Sequence, residues 1–434
     1  MLYAVLLTLF YLLLFNILLY RFGVFQLPRL NPWLTLALFN LKFLAGIFSW
    51  AVYTFYYTDV KNNDVHKYYA DAVILHQYAA QNPTSFAKVM VGDDGALDAQ
   101  VEAAMKNWHR NFDEAPFNEN RTVIKFNALL LFFSFNTYFV HILFMCFISL
   151  IGIILLMQAV FHHSSNANVI YAIPVLFLPS VLLWGSGVMK EPLLIFGLGI
   201  YVYALIRFRL SVKYLLLLAT GALVLLMVKF YVLICLLPAS FAYLLYRESR
   251  SLQQVVVRYI SISLLLLVSV LMIPKVLPTL NPIQILVNKQ QHAVKEASYF
   301  KAGSAIAIPE VSDELSLIAA APAGLWNVFM RPYLTECKNV MMLLSGVETI
   351  LIWLLLLSLL YRFRWTEQFD YNLFFFLLVS SLLYFMLIGV TTPVLGNLVR
   401  YKAPMLPMFM FAWALAGKPS TLPAFCHYLF LRKA

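Results

Sequence analysis

Apolar stretches of 15 to 25 residues recur along this chain, separated by short polar interruptions. A helix needs about 20 apolar residues to cross a bilayer. Eleven segments approach or exceed that length: 2–20, 33–57, 138–161, 169–187, 192–206, 214–228, 230–246, 259–274, 341–360, 372–390 and 403–417. The first lacks a basic n-region and an Ala-x-Ala cleavage site, so it reads as an uncleaved helix rather than a signal peptide. The apolar region 126–161 is too long for one simple span, so its start is expected along the interface and the span at 138–161. Two stretches of mixed charge, 58–125 and 275–340, break the pattern. It predicts an all-α polytopic membrane protein: a single integral membrane domain over 1–434, with about 11 transmembrane helices and two long extracytoplasmic loops at 58–125 and 275–340.

The charges give this pattern a direction. If the loop holding Arg21 and Arg29 lies inside, every second connection also falls inside: His162–Asn168, Arg207–Lys213, Arg247–Arg258, Arg362–Arg364 and the C-terminal tail. Most of these are short and basic, as the positive-inside rule requires, which predicts N-terminus out and C-terminus in. Composition agrees with a membrane protein. The chain is 62% hydrophobic and 12% charged, with a mean hydropathy of +0.80, whereas soluble domains carry roughly 25% charged residues. The net charge of +11 lies in short clusters between apolar segments, so it does not point to nucleic acid. Cys146, Cys235, Cys337 and Cys426 have no spacing that suggests a disulfide framework or a metal site.

On this topology the remaining polar residues collect on the outer side. They are Asp59, Asp64, Lys190, Glu191, Lys229, Arg331, Glu336, Arg400 and Lys402, with Glu348 about two turns inside a span on the same half. Each admits two readings. The stretch Pro179-Ser-Val-Leu-Leu-Trp-Gly-Ser-Gly-Val-Met-Lys-Glu-Pro192 places Lys190 and Glu191 at a helix N-terminus. It is a tight hairpin with interfacial charges, or a phosphate site made of free N–H groups, a helix dipole and a lysine. Asp64 either caps a helix running to Gln81, stopped by Asn82-Pro83, or serves as a general base, with Asp59 as runner-up. Asp71 shares the helix face of Asp64 and could orient a substrate. His66 and Lys67 bind anions or are simply solvated. Gly92-Asp-Asp-Gly95 reads as a turn, weak as a metal site, followed by an amphipathic surface helix over 96–109.

Lys229 interrupts two apolar runs, as a snorkelling interfacial lysine or as a second phosphate ligand facing Lys190. Arg331 either pairs with Glu336 or binds phosphate by its planar fork. Glu348, inside a span, needs a partner or a role. Arg400 and Lys402, at the outer start of the last long span, anchor it with Tyr401 or meet a lipid-linked pyrophosphate. There is no P-loop, HExxH motif, nucleophile elbow or Cys-His cluster, and nothing calls for a cofactor.

Three stretches carry a resemblance: Asn63-Asp64 to Tyr68-Tyr69, the Pro-Ser-x-Leu-x-Trp-Gly-Ser-Gly-x-x-Lys-Glu hairpin, and Arg-Tyr-x-x-Pro-x-x-Pro ending at Pro407. With the span pattern, the chain resembles the GT-C glycosyltransferase superfamily and related O-antigen-type polymerases of bacterial envelope polysaccharide pathways. The resemblance implies a multi-pass enzyme of the bacterial cytoplasmic (inner) membrane that takes a polyprenyl-phosphate- or pyrophosphate-linked sugar or oligosaccharide from the membrane lipid phase. It also implies contacts with envelope polysaccharide assembly proteins. Asp64 matches the first-loop acid, with Asp59 as alternative, and Lys190 and Arg400 match phosphate holders. The chain departs from the family in lacking a paired acidic dyad at the start of its first loop. Two other classes stay open. A transporter or flippase of lipid-linked glycans predicts cations distributed through the spans and internal repeats. A non-catalytic assembly partner predicts tolerance of charge changes at Asp64 and Lys190.

Overall fold

The computed structural model describes residues 2–57, 63–109, 118–162, 166–245, 251–277, 281–299, 302–363, 369–415 and 429–432; Asp59 and Cys426 lie outside them. Among the described residues the fold is all-helical, with two isolated β-bridges and no strand. Helices α1 (Leu2–Arg21) and α2 (Pro32–Ala51, continued by a π turn over Val52–Tyr56) form the first hairpin. The first polar stretch folds into α3 (Asp64–Gln81), α4 (Pro83–Met90) and α5 (Ala99–Ala104). Then follow α6 (Glu119–Ser134), α7 (Tyr138–Val160), α8 (Asn166–Leu176), α9 (Pro179–Trp184) and α10 (Lys190–Ile206). The second half holds α11 (Val212–Leu245), α12 (Leu252–Val276), α13 (Pro282–Tyr299), α14 (Glu314–Met330), α15 (Val340–Arg362), α16 (Tyr371–Thr391), α17 (Leu395–Lys402) and α18 (Leu406–Leu415).

Seven helices among the described residues are long and apolar enough to cross a membrane: α1, α2 with its π turn, α7, α11, α12, α15 and α16. The other expected spans take different forms. Residues 169–187 are two short helices, α8 and α9, because Pro179 starts a new helix after Leu178. Residues 214–228 and 230–246 are one 34-residue helix with a kink at Lys229, where φ is −156° and ψ is 86°. The segment 192–206 becomes α10, of 17 residues, and within 403–417 the described residues form α18, of 10. The break before α7 falls at Phe135 and Asn136, both left-handed, at φ 44° and 63°. His141 fastens this corner by contacting Ser134 Oγ (2.8 Å) and Asn127 Oδ1 (2.7 Å).

Helix α10 is central. It is apolar around its whole circumference, the mark of a helix packed on all sides, and nearly every residue from Lys190 to Leu205 is buried. It packs on α7 and α11. A Cβ on Gly199 would lie 2.0 Å from the Gly152 carbonyl oxygen of α7, so only glycine admits this approach. The same device joins α14 to α16, where a Cβ on Gly389 would stand 2.0 Å from the Gly324 carbonyl oxygen. Helices α1 and α12 instead turn apolar side chains such as Leu9, Leu13, Leu264 and Leu265 outward, as a lipid-facing surface requires.

The second polar stretch is less polar than its charges imply. It contains α14, an apolar helix packed along one face against α16. Gln290 of α13 donates to the Pro309 (2.7 Å) and Val390 (2.8 Å) carbonyls and accepts from Val311 N (2.8 Å). Ile306 N donates to Pro393 O (2.7 Å), and Leu395 N donates to Ser304 O (3.0 Å). This strap grips the segment that leads into α17.

Lys42, in the middle of α2, is fully buried and its Nζ has no hydrogen-bond partner among the described residues. It fits because residue 185 is glycine; a Cβ there would lie 2.5 Å from Nζ. An unsatisfied buried polar group costs about 1–3 kcal/mol, more if charged. Lys42→Met is therefore expected to raise the midpoint of thermal unfolding in detergent; a lower midpoint would show that the amine has a stabilising partner.

Candidate functional site

The first turns of three helices meet at one place, and each contributes a carboxylate. Asp64 is the first residue of α3, Glu119 the first of α6 and Glu191 the second of α10. Acids suit these positions because the free N–H groups and the dipole favour negative charge there. Four cations face them: Lys67 from α3, Lys190 from α10, Lys229 from the kink of α11 and Arg400 from α17.

Arg400 is the hub. Its Nε donates to Glu191 Oε1 (2.8 Å) and its Nη2 to Glu191 Oε2 (2.9 Å), a bidentate pair. Its Nη1 reaches Asp64 Oδ2, and its guanidinium lies 5.5 Å from the Trp184 ring centroid. Glu191 has no exposed surface and also accepts from Lys229 Nζ at 3.3 Å. Lys229 in turn stands 3.9 Å from the Tyr401 ring centroid. Lys190 donates to Glu119 Oε2 (2.9 Å). The Asp64 carboxylate is shared among Arg400, Lys67 and the Tyr68 hydroxyl, which is 3.2 Å from Oδ1 and 3.1 Å from Asn120 Oδ1.

These contacts change several expectations. Asn63, not Asp64, is the N-cap of α3, and no side-chain capping bond forms. Lys229 does not snorkel; it is buried and turned inward. Arg400 is not an interfacial anchor, since only 7% of it is exposed. Asp71 is buried and accepts from the Asn107 backbone N–H (2.7 Å), so it holds the fold of its loop. The 96–109 stretch forms only the short α5, and buried Trp108 closes it. Asp94 pairs with Arg121 and with Lys125, the latter at 2.6 Å. His66 Nε2 contacts Thr54 Oγ1 at 2.9 Å. Arg331 pairs with Glu336 at 2.9 Å, and neither touches the cluster among the described residues. Glu348 is buried and accepts from Ser180 N (2.7 Å), within electrostatic reach of Lys402, whose Nζ donates to Val328 O (3.5 Å). Asp59 lies outside the described residues.

Glu119 was not a candidate from the sequence, although Asn118-Glu-Asn120 has the signature of a helix start. Asn118 does cap α6, accepting from Asn120 N at 3.1 Å. Lys289 of α13 is a further cation near this region; it lies 3.5 Å from the Tyr231 ring centroid, and Tyr231 stacks on Tyr384 at 6.3 Å. Among the described residues no three His, Cys, Asp or Glu side chains converge as a metal site would need.

Burial pushes the Asp64 carboxyl up, but the Arg400 guanidinium, aided by Lys67 and Lys190, outweighs this and holds it well below the usual carboxylate range. The stability this gives is fully present above the unfolded value of about 4 and is lost as pH falls through the lower folded value. Asp64 is therefore ionised throughout the neutral range. Burial moves Asp71 the other way, upward, against the opposing effect of the Asn107 N–H.

No family model, curated protein or solved structure matches the chain, so its chemistry is argued from this geometry. The arrangement can hold an anion between Arg400, Lys67 and Lys190, and can keep a carboxylate beside it. Removing one member of a buried ion pair costs about 3–5 kcal/mol, whereas an exposed pair contributes about 0–1 kcal/mol. Glu191→Gln is thus expected to lower the thermal unfolding midpoint far more than Asp94→Asn, whose side chain is 27% exposed. Equal losses would mean that the cluster is open to water.

Proposed function

We propose that the chain is a membrane glycosyltransferase or polysaccharide polymerase, transferring sugar from a polyprenyl-phosphate- or pyrophosphate-linked donor on the extracytoplasmic face. The observation that carries this reading is the meeting of Asp64 with Arg400 and Lys67, with Lys190 close by and Lys229 joined through Glu191, drawn from four separate helices. In the reaction, an acceptor hydroxyl oxygen attacks the anomeric carbon. The bond from that carbon to the phosphate oxygen breaks, and its electron pair goes to the phosphate. Arg400 and Lys190 hold the departing phosphate, and Asp64 orients the hydroxyl and takes its proton. Glu191 acts through Arg400 by fixing the plane of its guanidinium, so it is a positioning residue. Glu348 and Lys402 form a second buried charged region, and Lys402 is two residues from Arg400 on α17.

The GT-C-like, eleven-pass layout belongs to the same proposal. It has α8 and α9 together, α10, α18 and each half of kinked α11 crossing as separate passes. N-terminus out and C-terminus in then places the cluster on the outer face of a bacterial inner membrane. One observation favours a second reading, a transporter or flippase of lipid-linked glycans: α11 is broken at a buried lysine, and discontinuous helices commonly form transporter sites.

Glycan transfer in a membrane preparation supplied with lipid-linked oligosaccharide separates the two. Loss of one electrostatic contact to a developing anion typically lowers the rate about 10²–10³-fold. Well-folded Asp64→Asn, Lys190→Ala and Arg400→Ala are each expected to lose transfer on that scale. Wild-type transfer in all three, or no product from the wild type while lipid-linked glycan crosses the bilayer, would replace the enzyme with the transporter.

A further inference from the structure

We infer that Asp64 occupies the place of the ligand's own anion: a phosphate or pyrophosphate group binds Arg400 and Lys67 by displacing the Asp64 carboxylate. The inference rests on the proposed transfer from a phosphate-linked donor and assigns that donor its seat.

The two carboxylates on Arg400 are not equivalent. Glu191 is held by two guanidinium nitrogens and by Lys229, and its side chain has no exposed surface. Asp64 is held by one guanidinium nitrogen, by Lys67 and by the Tyr68 hydroxyl, and 23% of its side chain is exposed. A guanidinium is permanently charged and forks toward planar oxyanions. Its inner edge is fixed on Glu191, and its outer edge faces Asp64 and solvent.

Charge favours the exchange. With Asp64 in place, Arg400, Lys67, Lys190 and Lys229 face three carboxylates. Once Asp64 swings away, the cluster gains one net positive charge, which favours an incoming anion. A phosphate monoester at neutral pH carries about −1.5 to −2. The Tyr68 hydroxyl has one proton and lies near both Asp64 and Asn120. It can serve a phosphate oxygen as readily as the carboxylate it now touches.

The chain can release Asp64 cheaply. Asp64 opens α3, and Asn63 before it is already extended, at φ −79° and ψ 145°. Farther along, Tyr68 and Asp71 are buried, and Asp71 is tied to Asn107. The first turn is itself anchored, by buried Val65, whose carbonyl accepts from the Tyr138 hydroxyl at 2.9 Å, and by His66 on Thr54, so Asp64 leaves by rotation of its own side chain. Displacement also removes Asp64 from the guanidinium that suppresses its basicity. The carboxylate becomes an effective base only after the donor phosphate has taken Arg400. It then receives the acceptor hydroxyl proton as that oxygen bonds to the anomeric carbon and the carbon–phosphate-oxygen bond breaks. Donor binding precedes proton transfer.

The test is binding of inorganic pyrophosphate, and of polyprenyl phosphate in nanodiscs, to the purified full chain. A carboxylate that only repels the anion through space predicts a gain that survives Arg400→Gln. Displacement predicts that Asp64→Asn binds pyrophosphate about tenfold more tightly than wild type and that Asp64→Asn/Arg400→Gln loses the gain. Unchanged or weaker binding by folded Asp64→Asn overturns the inference. A preference for polyprenyl phosphate assigns the anion to a lipid headgroup, and equal affinity assigns it to free phosphate; the displacement holds in either case. Tighter pyrophosphate binding by Asp64→Asn without transfer by the wild type would sink the transferase and keep the anion seat. Transfer by the wild type without tighter binding by Asp64→Asn would keep the transferase and sink the displacement.

Discussion

The bidentate pair between Arg400 and Glu191 sets the terms for the middle of this molecule. Glu191 is fully enclosed, and a carboxylate in such a place is sustained only by cations held in fixed geometry. That geometry needs α10 and α17 together, although their partner residues are 209 positions apart in sequence. The close approach of α10 to α7 through Gly199 and Gly152 fixes one side. The strap from Ser304 to Val311 fixes the other, because it grips the segment from Val390 to Leu395 that leads into α17. The charged cluster and the apolar packing are therefore one system.

The resulting site is nearly saturated. Each named carboxylate has a cation, and each helix N-terminus has its acid. Such an arrangement is expensive to assemble and gives little net stability compared with an apolar core. A chain built mostly from apolar residues has an inexpensive alternative available at every one of these positions. The concentration of Asp64, Lys67, Glu119, Lys190, Glu191, Lys229 and Arg400 in one place is thus explained better by chemistry than by stability.

Some of this was legible in the sequence because it depends on local physics. The start of α7 at Tyr138 follows from the excess length of the apolar region before it, and the break falls on left-handed Phe135 and Asn136. Helix α3 runs from Asp64 to Gln81, where Asn82-Pro83 stops it. Lys190 and Glu191 do open α10. What stayed hidden depends on distant contacts. Hydropathy marks Lys229 as an interruption but cannot say whether it turns toward headgroups or toward Glu191. The segment 169–187 reads as a span because composition was counted, whereas Pro179 cuts it into shorter helices. Helix α14 was concealed by the charged residues around it, and Glu119 by lying in a loop with many other acids. Arg400, the distant partner of Asp64, is 336 residues away, and no local pattern carries that information.

Lys42 has a consequence for how the protein is made. An isolated helix with a lysine near its middle enters the bilayer poorly, at a cost of roughly 2.5–3.5 kcal/mol on insertion scales. Helix α2 has no acidic residue of its own to offset this, and the groups that shelter the amine, around Gly185, are about 140 residues downstream and emerge much later from the ribosome. The second helix is therefore committed to the membrane before its final surroundings exist. Its amine reaches its sheltered seat only when the hairpin at residues 179–192 arrives. Biogenesis of this chain thus has a built-in late step, in which the hairpin that supplies Lys190 and Glu191 to the cluster also completes the seat of the second helix.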